Sequence, residues 1–369
     1  MPESVLLIAL GQFLLGGLML LLGGDWVVRA ASSIAIAARL SPLFVGLTIV
    51  SLGTSAPEMA VSIAAALDGK GDITIGNVVG SNLFNMLMIV GTAAVFIPLA
   101  IKNQITRVDV PVMMAAVGLM AWFARDGAIE RNEGFVLVGS CVGYTLVSLL
   151  LGRSDPDATD EMSTRGEEEL ADATPHKKTG SGGSGDSETT AKSGRLWLQF
   201  VILVVGIATL ILGCEWFVAA AVTFADTLGV PETVIGLTIV SAGTSLPELV
   251  TSVAATLKGQ RGIAIGNAVG STTLNVLAVL GLTAVVSPDP IIVAASINAL
   301  DIPVMVLVSM GLWVMLWTGR RVTRLEGALL IVVYVAYLTY LVIDSGAISA
   351  TTGWMEGEHA SRVFRGPGG

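Results

Sequence analysis

The chain has 369 residues, a mean hydropathy of +0.78, 53% apolar residues and 13% charged residues. A soluble domain carries roughly a quarter charged residues, so this composition excludes one. The net charge of −9 speaks against a nucleic-acid partner.

Apolar runs of about 20 residues, each enough to span a bilayer as a helix, recur throughout. They predict an all-α integral membrane protein with ten transmembrane helices. The start, MPESVLLIAL, lacks the basic n-region of a signal peptide and is expected to open the first span. In chain order the spans are 4–38, 43–67, 73–98, 108–124 and 131–151, then 196–228, 233–257, 263–287, 300–318 and 324–343. Residues 152–195 hold ten acids, six bases and the run TGSGGSG, the composition of a flexible polar loop. The tail 344–369 is again polar. The 43 glycines fit helices packed through small residues. Cys141 and Cys214 lie in apolar runs and are expected to be buried free thiols. His176 and His359 lie in polar segments, so no span offers a histidine as base or ligand.

The second half repeats the first. GLTIVSLGTSAPE from Gly46 answers GLTIVSAGTSLPE from Gly236, and IGNVVGSNLFN answers IGNAVGSTTLN. Glu58 and Glu248, Ser81 and Ser271, and Asn85 and Asn275 are each 190 positions apart. GGDWVV at Gly23 and GCEWFV at Gly213 keep that offset, and Asp109 and Asp301 shift it to 192. The duplicated units are therefore 1–151, with core 43–98, and 196–343, with core 233–287. Lys and Arg gather in alternate loops, namely Arg39; Lys102 and Arg107; the six of 152–195; Lys258 and Arg261; and Arg320, Arg321 and Arg324. The positive-inside rule puts these loops in the cytoplasm and both termini outside a plasma membrane. Five spans per repeat then invert one half against the other, an arrangement typical of secondary transporters with a site at mid-membrane.

Glu58 and Glu248 fall mid-span, where an ionisable group marks function. Pro57 and Pro247 lack an amide hydrogen and displace the carbonyls of Gly53 and Gly243 four residues back. An opened helix is tolerated only where it lines a polar cavity. Carboxylates, freed carbonyls and hydroxyls form an all-oxygen set suited to hard cations such as Na+ and Ca2+. Ser81 with Asn85, and Ser271 with Asn275, share a helix face. Repetition in register favours ligation over bonding within their own helices. Asp109 and Asp301, two residues before a proline, are expected to cap their helices. Asp25 and Glu215, beside Trp26 and Trp216, are expected to anchor at the interface, with Arg29 placed to pair with Asp25.

GTSAPE and GTSLPE, each followed by GNxVGS and a downstream Asn, resemble the α-repeats of the sodium/calcium exchanger family within the cation/Ca2+ antiporter superfamily. The resemblance implies ten helices in two inverted halves, with the long first and sixth helices sliding past the α-repeat core. It makes Glu58 and Glu248 the central Ca2+ ligands, completed by the carbonyls of Thr54 and Thr244. It gives Ser55, Ser81, Ser245 and Ser271, with carbonyls near Ser51 and Ser241, to flanking Na+ sites. Asn275 stands where prokaryotic and potassium-dependent members often carry Asp, so a third carboxylate is missing. The implied function is Na+/Ca2+ antiport by alternating access, with Ca2+/H+ antiport through the same glutamates as the alternative. Ca2+, Na+ and the lipid bilayer are the partners; no cofactor and no obligate protein partner is expected. Glutamate-based intramembrane hydrolysis lacks a partner base or metal and is set aside.

Overall fold

The computed structural model of the chain describes residues 3–153, 185–230, 235, 239 and 241–344, with the backbone course alone for 3, 153, 185–195, 241 and 344. The expectations for the polar loop over 154–184, for His176 and His359 and for the tail 345–369 lie outside the described residues.

The first half runs α1 (Glu3–Ala38), α2 (Pro42–Thr54), α3 (Ala56–Leu67), α4 (Gly71–Phe96), α5 (Ile105–Ala124) and α6 (Arg131–Arg153). The second runs α7 (Gly185–Thr227), α8 (Ser241–Gly243), α9 (Leu246–Leu257), α10 (Arg261–Val286), α11 (Ile297–Gly319) and α12 (Arg324–Asp344). Among the described residues eight helices are long and apolar enough to cross a membrane. A ninth span is the broken pair α2 and α3, bent by 45°. The expected span 233–257 is described only in part, through α8 and α9. The helix of α7 begins at Gly185, ahead of its apolar stretch Leu196–Thr227.

Burial sorts these helices into two layers. In α4 and α10, 78% and 83% of the most apolar window is buried, against 17% in α1 and α12. The inner pair thus needs small and polar residues, while the outer helices turn Leu6, Leu21, Val204 and Leu329 outward, an apolar face suited to lipid. One apolar cluster unites α4, α5 and α6 with α10, α11 and α12; a second holds α1 and α7 against α2, α9 and the start of α10.

Glycines set the closest crossings, and the crossings join the halves. A Cβ on Gly16 would lie 2.7 Å from the carbonyl of Gly213, and one on Gly23 would lie 2.9 Å from that of Gly206. The 190-residue offset exchanges these two contacts. In the same way Gly91 of α4 meets Gly327 of α12, and Gly281 of α10 backs on α6 at Gly134 and Leu137. The fifth spanning helix of each half therefore covers the third of the other. Two short antiparallel ladders add to this, β1 (Leu99–Ala100) with β4 (Arg321–Val322) and β2 (Ala128–Ile129) with β3 (Ile291–Ile292).

One expectation fails here. Asp109 and Asp301 are not caps, because each lies in right-handed helical conformation at the end of a π-helical turn that runs on into α5 or α11, with no capping bond. Asp109 instead accepts from the Tyr144 hydroxyl of α6 at 3.4 Å, and Asp301 from Tyr337 of α12 at 2.8 Å. The wider π turn carries the helix past the proline, so the carboxylate is free to anchor the neighbouring helix.

Candidate ion-binding site

Each proline sits within the first turn of a new helix. The backbone leaves helical geometry at Ser55 (φ −80°, ψ 9°) and at Ser245 (φ −93°, ψ 6°), and α3 and α9 restart one residue later. Glu58 and Glu248 fall in the first turns of α3 and α9, where the positive end of the helix dipole favours a carboxylate. Glu58 is 1% exposed and Glu248 0%.

The two repeats complete one another's site. Ser245 donates to Glu58 Oε1 at 2.9 Å, and Ser55 donates to Glu248 Oε1 at 3.1 Å. Thr244 lies near Glu58 without closing a hydrogen bond, and Thr54 stands in the same relation to Glu248. Thr54 donates instead to Asn267 Oδ1 at 3.2 Å. Behind the glutamates, Asn77 Nδ2 donates to the Glu58 carbonyl at 3.1 Å and to Ser62 Oγ at 2.9 Å. Asn267 repeats both bonds on Glu248 and Ser252 at the same distances. These asparagines brace the two restarted helices against α4 and α10.

The remaining expected residues are divided between occupied and free groups. Ser81 donates to the Asn77 carbonyl at 2.7 Å, as a helical serine commonly does, and accepts from Asn275 Nδ2 at 3.1 Å. Among the described residues Ser271 Oγ has no hydrogen-bond partner. Asn85 and Asn275 lie in the π-helical turns Phe84–Ile89 and Asn275–Leu280, a widening frequent at functional positions. Ser51 bonds the Gly46 carbonyl at 2.6 Å and the Asn267 carbonyl at 3.2 Å, pinning α2 to α10. Ser241 begins α8. The Gly243 carbonyl, expected to be freed by Pro247, is taken by the Cys214 thiol at 2.7 Å. Both cysteines are free thiols.

Glu58 Oε2, Glu248 Oε2, Asn85 Oδ1 and Asn275 Oδ1 are all buried oxygens without a partner among the described residues. Unpaired buried carboxylate and amide oxygens are costly, and here they concentrate on the duplicated residues. Among the described residues no group of three or more His, Cys, Asp or Glu gathers, so neutral oxygens must supply most of any coordination shell. Ser62, Ser252, Asn77 and Asn267 complete the arrangement. The serines stood outside the motif reading, although they too repeat at 190 and lie four residues after each glutamate.

A duplicated helical membrane protein with paired broken helices around buried carboxylates is a membrane antiporter in class. The chain belongs to the sodium/calcium exchanger protein family, whose model matches residues 8–150 and 198–343. It is 35% identical over 337 residues to the putative antiporter CaxA of Alkalimonas amylolytica, covering 90% of this chain and 98% of that protein. It is 34% identical over 351 residues to the sodium/calcium exchanger MaX1 of Methanosarcina acetivorans, covering 89% and 97%. The structure also matches the sodium-calcium exchanger NCX_Mj, solved after soaking with zero Na+ and Ca2+, at TM-score 0.73 and 25% identity over 90% of this chain and 98% of that one.

Proposed function

We propose that the protein exchanges Na+ for Ca2+ across a plasma membrane, with Glu58 and Glu248 as shared ligands of competing ions. The observation that carries this reading is the set of oxygens on Glu58, Glu248, Asn85 and Asn275 that have no partner among the described residues. Two carboxylates balance one Ca2+, and neutral oxygens around them suit Ca2+ coordination of six to eight ligands. Across each break the backbone ladder resumes with Met59 N–H on the Ser55 carbonyl at 3.1 Å and Leu249 N–H on that of Ser245 at 3.2 Å, one residue past the glutamates, which supports the carbonyls of Thr54 and Thr244 as further Ca2+ ligands. Ser55, Ser81, Ser245 and Ser271, with carbonyls at Ser51 and Ser241, would take Na+ on either flank. Two Na+ or more on the same carboxylates exclude Ca2+ by charge, and competition at one alternating site produces exchange.

The test is Ca2+ uptake into proteoliposomes with the Na+ and pH gradients set separately. Uptake driven by an outward Na+ gradient at equal pH is the expected result. Uptake that follows the pH gradient alone would assign the protein to Ca2+/H+ exchange.

We also assign the units 1–151 and 196–343 as the two inverted repeats, the loop 152–195 to the cytoplasm and both termini to the outside. Single cysteines placed within 154–184 of a Cys-free variant should react with an impermeant maleimide only after cells are opened. Labelling of intact cells would reverse the orientation.

A further inference from the structure

The two halves are related by sequence, but their contacts with the long helices are not equal. α1 packs along α9, with Gly24 against Val250 and Ala254. Its mate α7 makes no comparable contact with α3. On the same face α2 is pressed onto α10, where a Cβ on Gly46 would lie 2.8 Å from the Ile263 carbonyl and one on Gly266 would lie 2.8 Å from that of Leu43. The end of the molecule bearing the α9–α10 turn is therefore closed.

Charges follow the same division. Asp25 of α1 accepts from Lys258 in the α9–α10 turn through its carboxylate, and its backbone carbonyl accepts from the same ammonium at 3.4 Å. Arg29 holds the other carboxylate oxygen at 2.8 Å. Asp25 and Lys258 are only 33% and 30% exposed, less screened than a free surface pair. The 190-residue offset maps Asp25 onto Glu215 and Lys258 onto Asp68. Glu215 is exposed, and among the described residues Asp68 pairs with Lys70 of its own turn at 3.2 Å. The turn facing α1, Lys258–Gly262, carries two positive charges; its counterpart, Asp68–Asp72, carries two negative and one positive.

We propose that Asp25 and Lys258 form an ionic latch that holds α1 against the α9–α10 turn and biases the protein toward the access state with that face closed. This rests on the alternating-access reading above. In an inverted repeat the second access state exchanges the roles of the halves, so α7 would meet the α3–α4 turn. Glu215 would then approach Asp68, and the one cation of that turn, Lys70, already pairs with Asp68, so the exchanged contact gains less than the broken latch gave. The latch therefore sets an unequal resting population, and it lowers the apparent ion affinity at the closed face in proportion to the competent fraction.

The test places nitroxide labels at Leu67→Cys and Leu228→Cys, on the opposite face and both exposed, in a Cys141→Ala, Cys214→Ser background of the full chain in liposomes. Two inter-label distances are expected, with the longer one dominant. Lys258→Asp, which copies the charge of Asp68, should raise the population of the shorter distance about five-fold relative to the longer, as expected for a partly exposed pair. The exchanged pair Asp25→Lys with Lys258→Asp should return the ratio to its starting value. An unchanged ratio in Lys258→Asp, failure of the exchanged pair to restore it, or one distance in every variant and ionic condition would each overturn the latch. Ca2+ uptake by the unsubstituted protein in the same liposomes reads the exchange reaction separately, so loss of one reading is not mistaken for loss of the other.

Discussion

At the scale of single residues, the proposed site rests on carboxylates that accept from serines of the opposite repeat. Glu58→Gln keeps the volume and an oxygen to accept from Ser245, which donates at 2.9 Å, but it removes half the charge that balances a divalent ion. The same holds for Glu248→Gln with Ser55. Either substitution is expected to lower Ca2+ uptake at least a hundred-fold while leaving the thermal midpoint within a few degrees of the parent. Uptake within two-fold of the parent in either variant refutes the shared site. The glutamates were legible because a costly charge recurs in register inside apolar runs. Their serine partners' targets were not, since Ser55 bonds a carboxylate 193 positions away and one-dimensional spacing says nothing about that distance. Ser62 and Ser252 were overlooked because a serine on a helix ordinarily bonds its own backbone, whereas here each accepts from an asparagine of the adjoining helix.

At the scale of helices, close approach is set by glycines and breaks are set by prolines. A Cβ on Gly91 would fall 2.8 Å from the Gly327 carbonyl, whereas one on Gly118 meets nothing within 4 Å. Gly91→Ala must push α4 and α12 apart, an overpacking that costs about 1–3 kcal/mol. Gly118→Ala should be neutral or slightly stabilising through helix propensity. Thermal unfolding of both variants in detergent checks this; equal midpoints would mean that the crossing is not tight. The breaks at Ser55 and Ser245 were readable from Pro57 and Pro247, because a missing amide hydrogen has one local consequence. The roles of Asp109 and Asp301 were misread for the converse reason. Aspartate before proline is a frequent capping pattern, and only the fold reveals the π-helical turn and the tyrosines, 35 and 36 residues on, that claim these carboxylates.

At the scale of the molecule, the spans and their duplication could be read from hydropathy and self-similarity, but the way the halves interleave could not. The glycine crossings of α4 with α12 and of α10 with α6 have a consequence for how the protein comes to be folded. The groove at Gly91 stays uncovered until α12 has been synthesised and inserted. The groove at Gly281 is the reverse case, since α6 is in the membrane before α10 emerges. The contact between α4 and α12 therefore forms late in synthesis, between groups more than 200 residues apart in sequence. Such contacts form slowly. A chain cut short before α12 retains both glutamates but leaves α4 uncovered, which makes it a substrate for membrane quality control before it can act as a leak for ions.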